Sequence, residues 1–410
     1  MTAFDELWAE LEPIGKYEPT GGYRRFAYSA AELQCRQWFT ARARELGLEV
    51  ELDRNGNLWA WWVAAGVDPQ LPALAIGSHL DSVPDGGAFD GPLGVVSSLA
   101  AVKSLQTKGF SPTRPIVIAV FADEEGARFG IACAGSRLMT GQLAADRARA
   151  LMGRDGVTMA EAMQSAGLDA QALGEDRDLL ARIGEYVELH IEQGRSLVDD
   201  DASIGVATAI WPHGRYRYTF TGVADHAGTT RMRDRRDPMS AFARTVLSAE
   251  AAARASDSRA TFGRIEVEPN GTNAIPSVVR AWLDARAADA ETLHQLLADI
   301  EAAARGASAE HGVTVTVDIE SETPVVHFHA ALRDRVRAAV VAELGDDDVP
   351  LLPTGAGHDA GILATAGLPT AMLFVRNRTG ISHSPREFAD RDDCLRGVTS
   401  LVAVLQELAG

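Results

Sequence analysis

The chain is expected to be an α/β protein: a larger unit built on a parallel-type sheet, with a smaller α+β module inserted into it. Three observations predict this. Between Ala73 and Phe121, apolar strand-like runs flank a helix-like run, and strand, helix, strand is the order of a parallel α/β sheet. From about Gly205 to Ile319 the order becomes β-α-β-β-α-β, that of a ferredoxin-like module. At 410 residues the chain exceeds what one hydrophobic core commonly serves, so two domains are expected.

The elements follow in order. Met1 to Gly15 mixes acids with Phe4, Leu7, Trp8 and Leu11, the pattern of an acidic amphipathic helix without a signal-peptide core. Ser29-Ala30-Ala31-Glu32 has capping-box spacing and opens a helical run to about Leu46. Strands are expected over Leu48 to Leu52, Leu58 to Val63, Ala73 to Gly77 and Ile116 to Phe121. Pro92 to Lys108 reads as a helix, with proline at its start and Gly109 past its end. Residues 137–184 are rich in Ala, Arg and Leu and read as a helical insertion. In the smaller module, strands are expected over Arg215 to Thr221, Phe262 to Glu268, Val278 to Arg286 and Val313 to Ile319. Its helices are expected over Pro238 to Ala253 and Ala290 to Arg305. Helix and strand alternation then resumes, with a strand at Ala371 to Val375 and a last helix at Arg391 to Leu408. The domain boundaries this implies are 1–204 with 326–410 for the larger unit, and 205–325 for the insert.

Composition narrows the functional classes. A formal charge of −18 argues against nucleic acid and anionic membranes, whose binding needs a basic surface. No apolar run reaches the ~18 residues of a membrane span. Three cysteines, Cys35, Cys133 and Cys394, with no CxxC, fit a reduced cytoplasm and not a disulfide framework.

The chemistry-bearing residues fall at strand ends, where open α/β sheets gather their sites. His79 and Asp81 follow the Ala73 strand, and Glu124 and Glu125 follow the Ile116 strand. Asp90 lies eleven residues after His79, across a Pro84-Asp85-Gly86-Gly87 turn. His190 closes an apolar run, and His383 stands on a Gly/Ser/Pro loop. Adjacent buried carboxylates repel unless a cation or proton compensates them. Mixed His and carboxylate donors suit zinc, manganese or cobalt and need no thiolate.

These stretches, together with Glu188 to Gly194, Asp225-His226-Ala227-Gly228-Thr229-Thr230, Asn273-Ala274-Ile275-Pro276 and Gly355 to Ala360, resemble a family of dinuclear-metal amidohydrolases. It includes N-carbamoyl-L-amino-acid hydrolase, allantoate amidohydrolase and β-ureidopropionase, relatives of the zinc exopeptidases. The match runs in order from residue 77 to 384. The resemblance implies a zinc-exopeptidase-like catalytic domain, with a mixed sheet between helices, and an inserted ferredoxin-like dimerisation or lid domain. It implies two divalent metals held by His79, Asp90, Glu125, His190 and His383, with Asp90 bridging. Asp81 would orient His79, and Glu124 would be the general base. His226 would reach the partner subunit's site in a homodimer and polarise the scissile carbonyl. Asn273 and Arg286 would hold the substrate carboxylate, with Gln193 near the ureido group. His358 is given no metal role.

Two departures stand out. Arg231 replaces the proline usual after His-Ala-Gly-Thr-Thr, and Trp211-Pro212-His213-Gly214 stands where members of the family often have a different polar residue. Arg231 is therefore expected to meet a second anionic group of the substrate. The implied substrate is a small ureido or N-acyl carboxylic acid, either allantoate or an N-carbamoyl-L-amino acid. The alternatives are a deacylase, such as a deformylase of acidic N-acyl-L-amino acids, and a metallo-exopeptidase. A metal-bound scaffold without catalysis is a further class, and Glu124 argues against it, because an inactive protein does not need a base.

Overall fold

The computed structural model of the chain describes residues 2–345 and 349–410. Two units emerge, one of Met1–Ala209 with His327–Gly410 and one of Ile210–Val326.

In the larger unit, four strands form a parallel centre: Thr370–Val375, Ile183–Ile191, Ala73–His79 and Ile116–Phe121, in that spatial order. Ile-Val-Ile-Ala-Val-Phe over Ile116–Phe121 is buried throughout, as suits a β-branched run covered on both faces. The flanks are antiparallel, so the sheet is mixed and not purely parallel. Leu58–Trp62 pairs with Ile116–Phe121 on one side and with Glu49–Leu52 on the other. The link from Leu52 to Leu58 is too short for a crossover, which forces the antiparallel hairpin. The Asp53 carboxylate closes that turn by accepting the N–H groups of Asn55 and Asn57, each at 2.8 Å. At the other side, Ile204–Ile210 runs antiparallel to Thr370–Val375 and carries Leu351–Thr354 and Val326–His327 beyond it.

Alternation along the central strands sorts the core. Val187, Leu189 and Ile191 join the main apolar cluster with Leu93, Leu99, Leu401 and Leu405. Tyr186, Glu188 and His190, also buried, therefore face the opposite side. The helix Pro92–Thr107 has its proline in the first turn, as expected. The Ala73 strand runs two residues past Gly77, so His79 is its last residue, paired with Phe121. Ser29 Oγ caps the Ala30–Glu45 helix by accepting from the Glu32 N–H. Glu32 completes no reciprocal box. Its carboxylate takes the Tyr28 N–H at 3.1 Å and pairs with Arg36. Residues 137–184 hold short helices, among them Met159–Ser165 and Arg177–Ala181, over a small core around Leu138, Leu143 and Met163 that Tyr28 and Phe129 complete. The first helix forms over Ala3–Leu11; Met1, where the expected helix begins, lies outside the described residues.

The smaller unit is a four-stranded antiparallel sheet in the order Arg259–Glu268, Val278–Arg286, His213–Thr221, Thr314–Thr323. Helices Pro238–Ala255 and Ala290–Glu310 pack on one face. The first strand therefore lies between the third and fourth, which is the ferredoxin-like arrangement. Tyr216, Tyr218, Phe220, Val279, Ala281 and Leu283 point to the helices and are buried with Phe242, Leu296 and Ile300. The unit begins a few residues later than the change of texture at Gly205. Ile204–Ile210 is a strand of the large sheet, so residues 205–209 belong to the larger unit.

Candidate metal centre

Five of the residues singled out in the sequence converge in the larger unit. They form two groups of metal-ligand type that share one residue: His79, Asp90 and His190, and Asp90, Glu125 and His383. Asp90 Oδ1 faces His190 Nε2 at 3.3 Å and His79 Nε2 at 3.6 Å. Asp90 Oδ2 faces His383 Nε2 at 3.4 Å, which in turn faces Glu125 Oε2 at 3.4 Å. One carboxylate thus presents a different oxygen to each group.

The hydrogen bonding of the two buried histidines tests whether a cation fits. His79 Nδ1 lies 3.2 Å from the carbonyl oxygen of Asp81, and His190 Nδ1 lies 2.9 Å from that of Ile191. A carbonyl only accepts, so Nδ1 carries the proton in each ring and Nε2 is left with a lone pair. Both Nε2 atoms are buried and lack a hydrogen-bond partner, and both face a carboxylate oxygen, another acceptor. Acceptor facing acceptor at this range needs a proton or a metal ion between them. Without a metal, a proton takes that place. Burial opposes charge on His79, yet Glu124, Asp81 and Asp90 hold its pKa well above the ordinary histidine value. Burial likewise opposes charge on His190, and Asp90 raises it. Burial raises Glu125 far above the ordinary carboxylate range, reinforced by Asp90 and Glu124. The donor set therefore fits divalent ions.

Glu124 and Glu125 follow the Ile116–Phe121 strand on a turn anchored from two directions. Asp81 is buried, and its Oδ1 and Oδ2 accept the N–H groups of Glu124 and Glu125, each at 3.1 Å. From the other side, Cys133, Ala134 and Gly135 donate their N–H groups to the carbonyls of Glu124, Asp123 and Ala122. The Cys133 thiol donates to Glu124 Oε1 at 3.2 Å. Glu124 Oε2 is left facing His79 Nε2 at 3.7 Å. Burial, with Asp81 and Asp90 nearby, pushes the Glu124 carboxyl up to about 7. Divalent ions in the neighbouring groups would lower it and favour the ionised form, which can accept a proton. Gly91 allows the close packing here: at φ +83° its Cβ would stand 2.4 Å from the His79 ring.

Gln193 also reaches the centre, donating from Nε2 to Asp90 Oδ2 at 2.7 Å. Three neighbours were given no role in the sequence analysis. Glu387 is buried and accepts the N–H groups of Phe89 and Asp90. Ser382 Oγ lies 3.2 Å from both Asp90 Oδ2 and Glu387 Oε2. His358, left without a metal role, is buried with its ring centroid 4.6 Å from that of His190, and with Glu188 and His190 it forms a third group of ligand type. Burial and the His190 charge hold its pKa well below the ordinary value. Proximity to His383 in the sequence was the one available signal for Glu387 and Ser382.

The remaining expected residues lie in the smaller unit. Asp225–His226 pairs with Ala274–Ile275, setting His226 opposite Ala274, and the Ala227 N–H donates to the Asn273 carbonyl at 3.0 Å. His226 and Asn273 thus form one exposed cluster. Arg235 clasps its turn, donating to the carbonyls of Ala227 and Thr230. Arg286 is elsewhere. It ends the Val278–Arg286 strand opposite His213, doubly bonded to Asp284 at 2.7 and 3.0 Å. The His226 cluster extends the Val278 end, and a nine-residue strand spans ~27 Å at ~3.4 Å per residue. Within one chain, Asn273 and Arg286 therefore cannot grip the same carboxylate, contrary to the simplest form of the expectation. Arg231 is exposed and its Nε donates to Asp234 at 2.6 Å. His213 Nδ1 is turned onto the Trp211 carbonyl at 3.1 Å.

Comparison with known proteins shows the family of the chain. A sequence model of Peptidase family M20/M25/M40 matches residues 75–407. The N-carbamoyl-L-amino acid amidohydrolase of Geobacillus stearothermophilus is 37% identical over 100% of this chain and 99% of its own length. The allantoate amidohydrolase of Escherichia coli K12 is 34% identical over 99% and 98%. A crystal structure of a hydantoinase/carbamoylase family amidase from Burkholderia ambifaria superposes with a TM-score of 0.84 at 32% identity, covering 99% of this chain and 98% of that one. A family model over most of the chain and relatives of 34–37% identity along its whole length show that this chain belongs to the M20/M25/M40 peptidase family.

Proposed function

We propose that the chain is a metal-dependent amidohydrolase that cleaves the carbamoyl C–N bond of a small carboxylic acid, allantoate or an N-carbamoyl-L-amino acid. The observation that carries this reading is the pair of ligand groups sharing Asp90, one on each carboxylate oxygen, with Glu124 beside them. Two divalent ions, zinc, manganese or cobalt, would be held by His79, Asp90 and His190 and by Asp90, Glu125 and His383. When bound, they supply Lewis acidity and make water nucleophilic at neutral pH.

The chain's own residues do the rest. Asp81 holds the Glu124 backbone, and Cys133 occupies Oε1, so Oε2 is the oxygen turned to the reacting water. Glu124 Oε2 takes a proton as the water oxygen bonds to the carbamoyl carbon. It returns that proton to the nitrogen as the C–N bond breaks. Gln193, beside Asp90, is suited to hydrogen-bond the ureido group. Arg286 has the fork geometry of a carboxylate clamp, and Asp284 keeps it oriented.

The distance between Asn273 and Arg286 supports a homodimer in which the two act on one substrate from different subunits. His226 and Asn273 would come from the partner, and His226 would polarise the scissile carbonyl. Arg231 would read a second anionic group in competition with Asp234. Three buried free cysteines are consistent with a cytoplasmic location, and no helix of the described residues is long and apolar enough to cross a membrane.

The test is hydrolysis of allantoate, N-carbamoyl-L-amino acids and N-formyl-L-glutamate by chelated enzyme with each metal added back. Turnover of a ureido acid that depends on added metal is expected. Cleavage of the formyl substrate alone would replace this reading with deacylation.

A further inference from the structure

Glu387 takes no part in the steps above, yet it touches the loops that carry Asp90 and His383. Its Oε1 accepts the N–H groups of Phe89 and Asp90, each at 3.0 Å. Its Oε2 lies 3.2 Å from the Ser382 hydroxyl, next to His383. It is 4% exposed and 297 residues from Asp90 in the chain. Gly87 makes room for it: a Cβ there would lie 2.3 Å from Oε1.

The two ligand groups differ in how firmly they are built. His79 and His190 lie on central strands, in register with Phe121 and Phe374. Glu125 is held through its N–H by Asp81. His383 has no strand behind it. Its side chain is 51% exposed, and its backbone sits at φ +53°. A non-glycine residue in that region costs of order ~1 kcal/mol or more and persists only where its surroundings hold it. Asn377 organises the loop before it, donating to the Ile381 carbonyl and accepting from Thr379 and Gly380. Ser382, tied to Glu387, links His383 to the Asp90 turn, alongside Gln193, whose Nε2 lies 2.7 Å from Asp90 Oδ2 and 3.5 Å from His383 Nε2.

We propose that Glu387 is a positioning residue: it sets the separation of Asp90 Oδ2 from His383 Nε2, and so governs the affinity of the Asp90–Glu125–His383 group far more than that of the His79–Asp90–His190 group. This rests on the two-ion reading above. It needs no change of protonation, because the bonds to the two N–H groups fix where the carboxylate stands.

The experiment is a titration of chelated protein with Mn²⁺ alone, following free Mn²⁺ by electron paramagnetic resonance. Wild type should bind two ions. Glu387→Ala should weaken one of them about 10- to 100-fold and leave the other within about threefold, the scale seen when a partner of a metal ligand is lost. Glu387→Gln keeps an acceptor for the two N–H groups and should restore most of the lost affinity. In a His383→Ala background, Glu387→Ala should change the remaining ion's affinity little, whereas a merely structural role would still lower it. Circular dichroism checks folding; if Glu387→Ala does not fold, Ser382→Ala removes the other half of the link and should weaken the same ion. Two bound ions in wild type with unchanged affinities in Glu387→Ala, or with both weakened equally, would overturn the inference. A single bound ion in wild type would overturn the two-ion reading instead.

Discussion

Replacing Asp81 with asparagine keeps the volume of a buried side chain and removes half of its anchoring. The carboxylate holds Glu124 and Glu125 by one N–H each, at 3.1 Å on separate oxygens. An amide offers one acceptor oxygen, and its NH₂ group turned toward the second N–H sets donor against donor. One charge-assisted bond is lost, worth ~1.5–3 kcal/mol. The other becomes neutral, roughly halving its strength, so the total is ~2–4 kcal/mol. Against ~5–15 kcal/mol of overall stability the variant still folds. The metal-free protein should unfold at a clearly lower urea concentration, followed by circular dichroism. Both glutamates should also shift, and a displacement of ~1 Å costs on the order of 10²-fold in rate, so kcat at saturating metal should fall by that order. An Asp81→Asn variant with the wild-type urea midpoint and full turnover would show that Asp81 does not hold this turn.

Three further outcomes follow from the same geometry. Chelation should lower the melting temperature, because Asp90, Glu124 and Glu125 lose their counter-ions; metal at a hundredfold over Kd should restore ~2.7 kcal/mol, and calorimetry that shows no change would count against a bound ion. Mixing inactive His226→Ala with inactive Glu124→Gln should regenerate activity in heterodimers that assemble one complete site, and no recovery would remove the cross-subunit role of His226. Arg231→Pro should lower kcat/KM on N-carbamoyl-L-glutamate by up to about tenfold and leave N-carbamoyl-L-methionine unchanged, since Asp234 already satisfies part of this guanidinium; equal effects on both would make Arg231 an ordinary surface charge.

Much of the site was legible because strand periodicity reports where chains end. His79 and the Glu124-Glu125 pair follow runs buried on both faces, and parallel strands deliver their ends to one edge. The ferredoxin-like order of the smaller unit was readable from its β-α-β-β-α-β succession. What escaped is long-range. Nothing local to Leu58–Trp62 says that it turns back against Ile116–Phe121. Nothing near Glu387 says that its carboxylate reaches the N–H groups of Phe89 and Asp90, because partners so far apart in the chain leave no periodic trace. Asn273 and Arg286 were grouped by an expected common ligand, and only the strand register places them at opposite ends. Glu188 and Asp359 lie in matching stretches, yet nothing local names their buried partners, Ser78 and the Ala360 N–H for Glu188 and Ser136 for Asp359.

The central claim is that Glu124 moves the proton at a centre built by its neighbours, and Glu124→Gln tests it most directly. Glutamine keeps an acceptor for the Cys133 thiol and the same backbone bonds to Asp81, so the ligand groups should stay intact. Metal content and KM for the ureido substrate should match wild type, while kcat falls ~10²–10⁴-fold. A Glu124→Gln enzyme that keeps its metal and turns over near the wild-type rate would contradict the claim.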